Sequence, residues 1–191
     1  MDNILDRRIR KTRKFIQEAL FSLMKEIPYS RIRINQITER ADISRSTFYL
    51  HYETKDGLLF SIVDEIIDEY FQAIDRVAQG STQSPAYLLF SKWKQNIDKL
   101  RLILDAGMEY RVYQRLRVFN SMRKEPDYAV NPLLNDYIRT MLDGASFALL
   151  LRWTQDHAKV PVAQMDQLYN GLNIETLFQS LEDKLPNFGK Q

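Results

Sequence analysis

Residues 44–55, SRSTFYLHYETK, crowd three aromatic rings, a histidine, four hydroxyl side chains and two basic residues into twelve positions. Such a set is built to donate: an arginine fork pairs with guanine, and hydroxyls and lysine reach bases or phosphates. Catalysis fits less well. The chain has no Walker-type loop, no HExxH and no nucleophile elbow, and its six glycines are scattered singly. Carboxylates such as Asp64 and Asp68 sit on a charged helix face and read as solvated. A metal site is equally unpromising, because the histidines, His51 and His157, are far apart and there is no cysteine to complete a ligand set. No enzyme activity, cofactor or metal is therefore expected.

Helical phase divides the cluster. On a 3.6-residue period Arg45, Ser46 and Tyr49 share one face, and Phe48 and Tyr52 another. Phe48 and Tyr52 are expected inward with Ile43, Ile37 and Leu20. Arg45, Ser46, Thr47 and Tyr49 are expected outward, behind Ser44 as N-cap. His51 reads as a phosphate donor or a structural hydrogen-bonding residue. Lys55 follows the N-cap Thr54 of the next helix, where a phosphate or plain water would suit it.

The elements that must hold this face are helical nearly everywhere, since apolar residues recur at helical spacing and no segment alternates. Residues 6–27 form a first helix with Phe15, Ile16, Ala19, Leu20, Leu23 and Ile27 on one face, stopping before Pro28. Short helices follow at 34–41 and 44–51. The three together have the layout of a helix-turn-helix, whose second short helix enters the major groove. A long fourth helix starts after Thr54, with Leu58, Leu59, Ile62, Val63, Ile66, Ile67, Tyr70 and Phe71 as its buried stripe, and the break GSTQSP follows at 80–85. Further helices are expected at 86–105, 108–124, 133–156 and 162–185. The predicted class is all-α, with a helix-turn-helix domain over 1–60 and a helical body over 61–191.

Charge follows the same division. Residues 1–60 hold 12 Lys/Arg against 8 Asp/Glu, whereas 61–191 hold 15 against 17. Six of the basic residues, Arg7, Arg8, Arg10, Lys11, Arg13 and Lys14, lie at the start, which suits a polyanion. The start lacks the apolar core of a signal peptide, and the longest apolar stretch, 141–153, is short of the roughly 20 residues a membrane span needs. A cytoplasmic, soluble chain without a membrane partner is expected.

One short helix touching a few bases discriminates poorly, so a second copy related by a two-fold axis is expected. Leu134, Ile138, Met141, Ala145, Leu149 and Trp153 make a stripe on one helix, with Leu133, Tyr137, Phe147, Ala148 and Leu151 beside it. Met165, Leu168, Leu172, Phe178 and Leu181 supply a companion. Two such helices per subunit would make a four-helix interface.

The segment INQITERADISRSTFYLHYETKDGLL, residues 34–59, resembles the N-terminal domain of TetR-family transcriptional regulators. Ile37, Ala41, Ser44, Thr47, Tyr49, His51 and Lys55 stand at the matching positions, with Tyr52 in the usual phenylalanine place. The resemblance extends over about residues 9–67, and GASFALLLRW, 144–153, is similar to the family's dimerisation helix. Two positions depart from the pattern: Arg33 stands where a capping Thr or Ser is usual, within reach of a phosphate, and Asp42 replaces the turn glycine. The resemblance implies a sequence-specific DNA-binding regulator, more often a repressor, that works as a homodimer on a palindromic operator of double-stranded DNA. It also implies a small-molecule or protein effector in the body, with Trp93, Met108, Tyr110, Arg111, Tyr113, Phe119, Met122 and Trp153 as candidate wall residues. The alternative is a TetR-like adaptor or coactivator that acts by protein–protein binding without its own operator.

Overall fold

The structure is a computed structural model that describes residues 2–77, 83–121, 131–171, 184, 185, 188 and 189. Among these the regular elements are helices: α1 (Asp2–Met24), α2 (Ile34–Arg40), α3 (Arg45–Tyr49), α4 (Lys55–Val77), α5 (Pro85–Gln95), α6 (Ile97–Asp105), α7 (Glu109–Ser121), α8 (Pro132–Gln155) and α9 (Val162–Gly171), with a 3-10 turn at Tyr29–Arg31. The all-helical expectation holds. The single helix expected over 86–105 is in fact two. Asn96 leaves helical geometry at φ −111° and ψ 14°, and its amide donates to the Lys92 carbonyl at 3.1 Å. An Asn side chain competes in this way with the backbone ladder it interrupts.

The chain forms two compact units. The first contains Met1–Ile66 and Asp98–Val112. Its core is Ile16, Leu20, Ile37, Phe48, Leu58 and Leu59, with Leu100, Ile103 and Leu104 of α6 also buried. Phe15 was expected on the buried face of α1 but is 43% exposed, with the Lys11 ammonium 5.5 Å from its ring centre. The stripe that packs is Ile16, Ala19, Leu20 and Leu23, one position round the helix. Arg40 ties α2 to the chain after α1 through a two-pronged contact with Glu26 at 2.7 and 2.8 Å. Lys99 of α6 lies 5.8 Å from the ring centre of Phe21 on α1.

The second unit contains Ile67–Ile97 and Tyr113–Gln191. Ser84 caps α5 by accepting from the Tyr87 N–H at 2.9 Å, and Asn131 caps α8 by accepting from the Leu133 and Leu134 N–H groups at 3.0 and 3.1 Å. Each cap precedes a proline at the first helical position, where a missing N–H costs nothing. Phe90 meets Trp153 edge-on with centroids 5.4 Å apart, which joins α5 to α8. The Trp93 indole donates to the Thr154 hydroxyl at 2.7 Å, and that hydroxyl donates to the Leu150 carbonyl at 2.7 Å. The Trp153 indole donates to the Val160 carbonyl at 3.0 Å across the turn after α8.

Both tryptophans of the chain lie in this unit, so their fluorescence reports on it alone. Thr154→Val keeps the volume but leaves the buried Trp93 N–H without an acceptor. The expected cost is about 1–3 kcal/mol, read as a lower urea midpoint by tryptophan fluorescence. An unchanged midpoint would show that the indole finds another partner.

Candidate nucleic-acid interface

The geometry of residues 41–55 is set by a left-handed turn and two caps, Ser44 on α3 and Thr54 on α4, whose Oγ1 accepts from the Gly57 N–H at 2.9 Å. Asp42 takes φ 52°, the conformation usually given to glycine, which Asp tolerates better than most residues. The chain then turns so that the Ile43 N–H reaches the Thr38 carbonyl at 3.0 Å. Ser44 accepts from the Thr47 N–H at 3.0 Å, and its Oγ lies 2.8 Å from the hydroxyls of both Ser46 and Thr47. At the start of α2, Arg33 stands in the capping position. Its backbone N–H donates to Gln36 Oε1 at 2.8 Å, so the exposed Arg33 guanidinium takes no part in the cap.

The predicted division of the cluster is visible in burial. Phe48 and Tyr52 are buried, with ring centroids 5.9 Å apart. Arg45, Ser46 and Tyr49 are exposed, but Thr47, expected outward with them, is half-buried, its hydroxyl 2.8 Å from Ser44 Oγ. The sequence reading missed one member of the outward face: Leu50 is 82% exposed. Its position four residues after Ser46 could have revealed it.

Three residues beside this face carry specific partners. Arg13 donates through Nε to the Tyr52 hydroxyl at 3.2 Å and lies 5.5 Å from the centre of its ring, so this member of the basic start serves the fold. Arg7, Arg8, Lys11 and Lys14 are exposed on α1. Lys55, expected beside a phosphate, donates instead to the carbonyls of Tyr29 and Ile32 at 2.7 and 2.8 Å, 4.1 Å from the Tyr29 ring centre. Two of its three N–H groups are thus committed to fastening the 3-10 turn to α4. Burial pushes its pKa down against the opposing pull of Asp56. The Tyr29 hydroxyl donates to Asp56 at 2.5 Å, and burial together with that bond holds the phenol protonated. His51 is half-buried beside Tyr52, and its pKa is lowered by burial and then by Arg13. It is uncharged at neutral pH.

The other expected site residues fall in different settings. Trp93 and Trp153 are core residues with their indole N–H groups paired inside the second unit. Tyr113 packs on Phe147 at 5.4 Å in the same unit. Met108, Tyr110 and Arg111 belong to the first unit, where Tyr110 is exposed and the Arg111 guanidinium lies 5.0 Å from the Phe60 ring centre. The Phe119 side chain, Met122 and Leu172 lie outside the described residues. Of the expected interface stripe, Leu134, Ile138 and Met165 are turned into the chain's own core, Leu149 is half-buried, and Met141, Ala145 and Leu168 are exposed. Leu133, Tyr137 and Ala148, from the neighbouring stripe of α8, are exposed as well. The open face of α8 is therefore one position round from the one expected. Among the described residues, no group of three potential metal ligands occurs, and no helix is long and apolar enough to cross a membrane.

Two measurements test these roles. Lys55→Met should lower stability by about 1–3 kcal/mol, because two carbonyls lose a charged donor; an unaltered melting temperature would return Lys55 to the solvent. For His51 the folded pKa lies below the ordinary 6.5, so below that pH the unfolded chain binds more protons than the folded one. The stability tied to a neutral His51 is complete above that value and is lost as pH falls through the folded pKa. His51→Gln should therefore gain in melting temperature relative to the parent between about pH 7.5 and 5. A constant difference across that range would contradict the assignment.

Residues 16–62 match the family model of bacterial regulatory proteins, tetR family. The chain is 39% identical over 69 residues to the uncharacterized HTH-type transcriptional regulator YxbF of Bacillus subtilis, a stretch that is 34% of this chain and 18% of that protein. It is 25% identical over 59 residues to the HTH-type transcriptional regulator EthR of Mycobacterium tuberculosis, covering 31% of this chain and 27% of that protein. The match thus spans less than a third of the length of these curated relatives. A TetR transcriptional regulator from Streptococcus agalactiae is similar along 90% of this chain and 98% of its own, at TM-score 0.55 and 25% identity. The dihydroxyacetone kinase operon activator DhaS shares the fold over 89% of this chain and 95% of its own, at TM-score 0.51 and 19% identity. The N-terminal helix-turn-helix segment, residues 16–62, is thus similar to the tetR family of bacterial regulatory proteins, and the described helices share their fold with a TetR transcriptional regulator.

Proposed function

We propose that the protein is a sequence-specific, DNA-binding transcriptional regulator acting in the cytoplasm as a homodimer on a palindromic operator. The observation that carries this reading is the exposed face of α3, with Arg45, Ser46 and Tyr49 outward on a helix anchored by the buried Phe48 and Tyr52. Arg45 supplies base recognition, Ser46 and Tyr49 reach base edges or phosphates, and the capping hydroxyls of Ser44 and Thr47 fix the helix that presents them. Arg33 and the exposed Arg7, Arg8, Lys11 and Lys14 of α1 suit the phosphate backbone. His51, a neutral donor at the edge of the same face, suits a single phosphate oxygen.

In this reading residues 1–60 form the DNA-binding domain, and the body over 61–191 supplies the dimer contact and the effector response. The exposed Leu133, Tyr137 and Met141 of α8, with Leu168 of α9, support an isologous contact, because apolar side chains at this spacing gain from burial against a second copy. The role is that of a repressor relieved by an effector. A second reading, an adaptor or coactivator working through protein contact, draws on the operon activator that shares the fold. Arg45, Tyr49 and the basic start of α1 favour DNA, since an adaptor has no need of them.

Titration of the purified protein with its own promoter region at two salt concentrations should give selective binding that weakens as salt rises. Binding without selectivity or salt dependence would sink the proposal. Arg45→Ala should cost about 1–3 kcal/mol of specific affinity while leaving the dimer intact in sedimentation.

A further inference from the structure

Leu50 is the most exposed of the large hydrophobic side chains described, at 82%. Exposure alone says little, because single leucines on surfaces are common. Its placement says more. The backbone N–H of Leu50 donates to the Ser46 carbonyl at 3.1 Å, so the residue still follows the helical path one turn beyond Ser46. Arg45, Ser46, Tyr49 and Leu50, at i, i+1, i+4 and i+5, form one continuous exposed strip, while Phe48 and Tyr52 are buried and Thr47 and His51 are half-buried at its edges. The hydroxyls of Ser44, Ser46 and Thr47 are bonded to one another around the cap, so Leu50 is one of four exposed residues on the strip and its apolar member at the C-terminal end.

A leucine has no donor or acceptor, so it cannot read the hydrogen-bonding edge of a base. The major groove offers one apolar feature that varies with sequence, the C5-methyl group of thymine. We infer that Leu50 is a specificity-determining residue that reads a thymine methyl group in each half-site. This rests on the DNA-binding reading above and adds a chemical requirement to it. Leu50 stands five residues after Arg45, a rise of about 7.5 Å along the helix, or roughly two base-pair steps. The thymine it meets therefore lies within about two base pairs of the base read by Arg45. Desolvating the leucine against the methyl group also explains why an apolar side chain stands on a face otherwise suited to polar contact.

The test uses the full-length protein and the promoter fragment it selects, with each thymine replaced in turn by deoxyuridine, which removes the methyl group and nothing else. At one position per half-site, the substitution should weaken binding of the parent protein by about fourfold, the worth of one buried carbon group. The same substitution should cost Leu50→Ala nothing, and that variant should bind the unmodified operator about tenfold more weakly at an unchanged melting temperature. Tolerance of deoxyuridine at every position by the parent overturns the inference, as does an equal penalty in Leu50→Ala. A variant that binds the operator like the parent overturns it too, and assigns the leucine to a protein partner or to plain surface. In these cases selective binding persists and the DNA-binding reading stands. If the parent selects no fragment at all, both fall together.

Discussion

A five-residue helix cannot hold its own shape in water, where isolated helices shorter than about 12–15 residues are marginal. α3 is such a helix, and everything about the reading face depends on what fastens it from behind. Phe48 supplies most of that hold: it is fully buried and meets Tyr52 on its inner side. The exposed strip lies about a quarter turn away, and two of its members also touch the hold: the Tyr49 ring meets Phe48 edge-on at 5.6 Å, and the Ser46 hydroxyl lies 2.8 Å from Ser44 Oγ.

The same economy appears in the cations. Arg13 and Lys55 are basic residues of the half of the chain that carries the positive excess, yet both point their charge at oxygen atoms inside the first unit. Lys55 meets the carbonyls of Tyr29 and Ile32 at either end of the 3-10 turn, and Arg13 meets the hydroxyl that Tyr52 has and a phenylalanine would lack. A tyrosine at this position gives the buried ring a polar tip with a partner, as a ring close to the surface needs. Counting charge along the sequence thus overstates how much of it faces outward.

Much of the fold was legible because helical periodicity is strong and local. The inward turn of Phe48 and Tyr52, the left-handed bend at Asp42 and the caps on α3 and α4 are all consequences of residues within one turn of each other. What the sequence hid depends on partners far along the chain. The carbonyls that hold Lys55 come from more than twenty residues upstream. The break at Asn96 turns on one amide choosing a backbone carbonyl over solvent. α8 is apolar on so much of its circumference that phase alone could not say which stripe faces the chain's own core, and Leu134 and Ile138 turn out to be on that side. Leu50 is a different case: its phase, four residues after Ser46, was readable, but a leucine in a helical pattern is more readily assigned to the core than to the exposed side it takes.

The inclusion of residues 98–112 in the first unit bears on how the chain is made. Leu100, Ile103 and Leu104 belong to the packing of that unit but leave the ribosome after the first half of the sequence. The first unit of a growing chain is therefore unfinished until α6 has emerged. A nascent fragment ending within α4 or α5 carries α3 on a core from which Leu100, Ile103 and Leu104 are still missing.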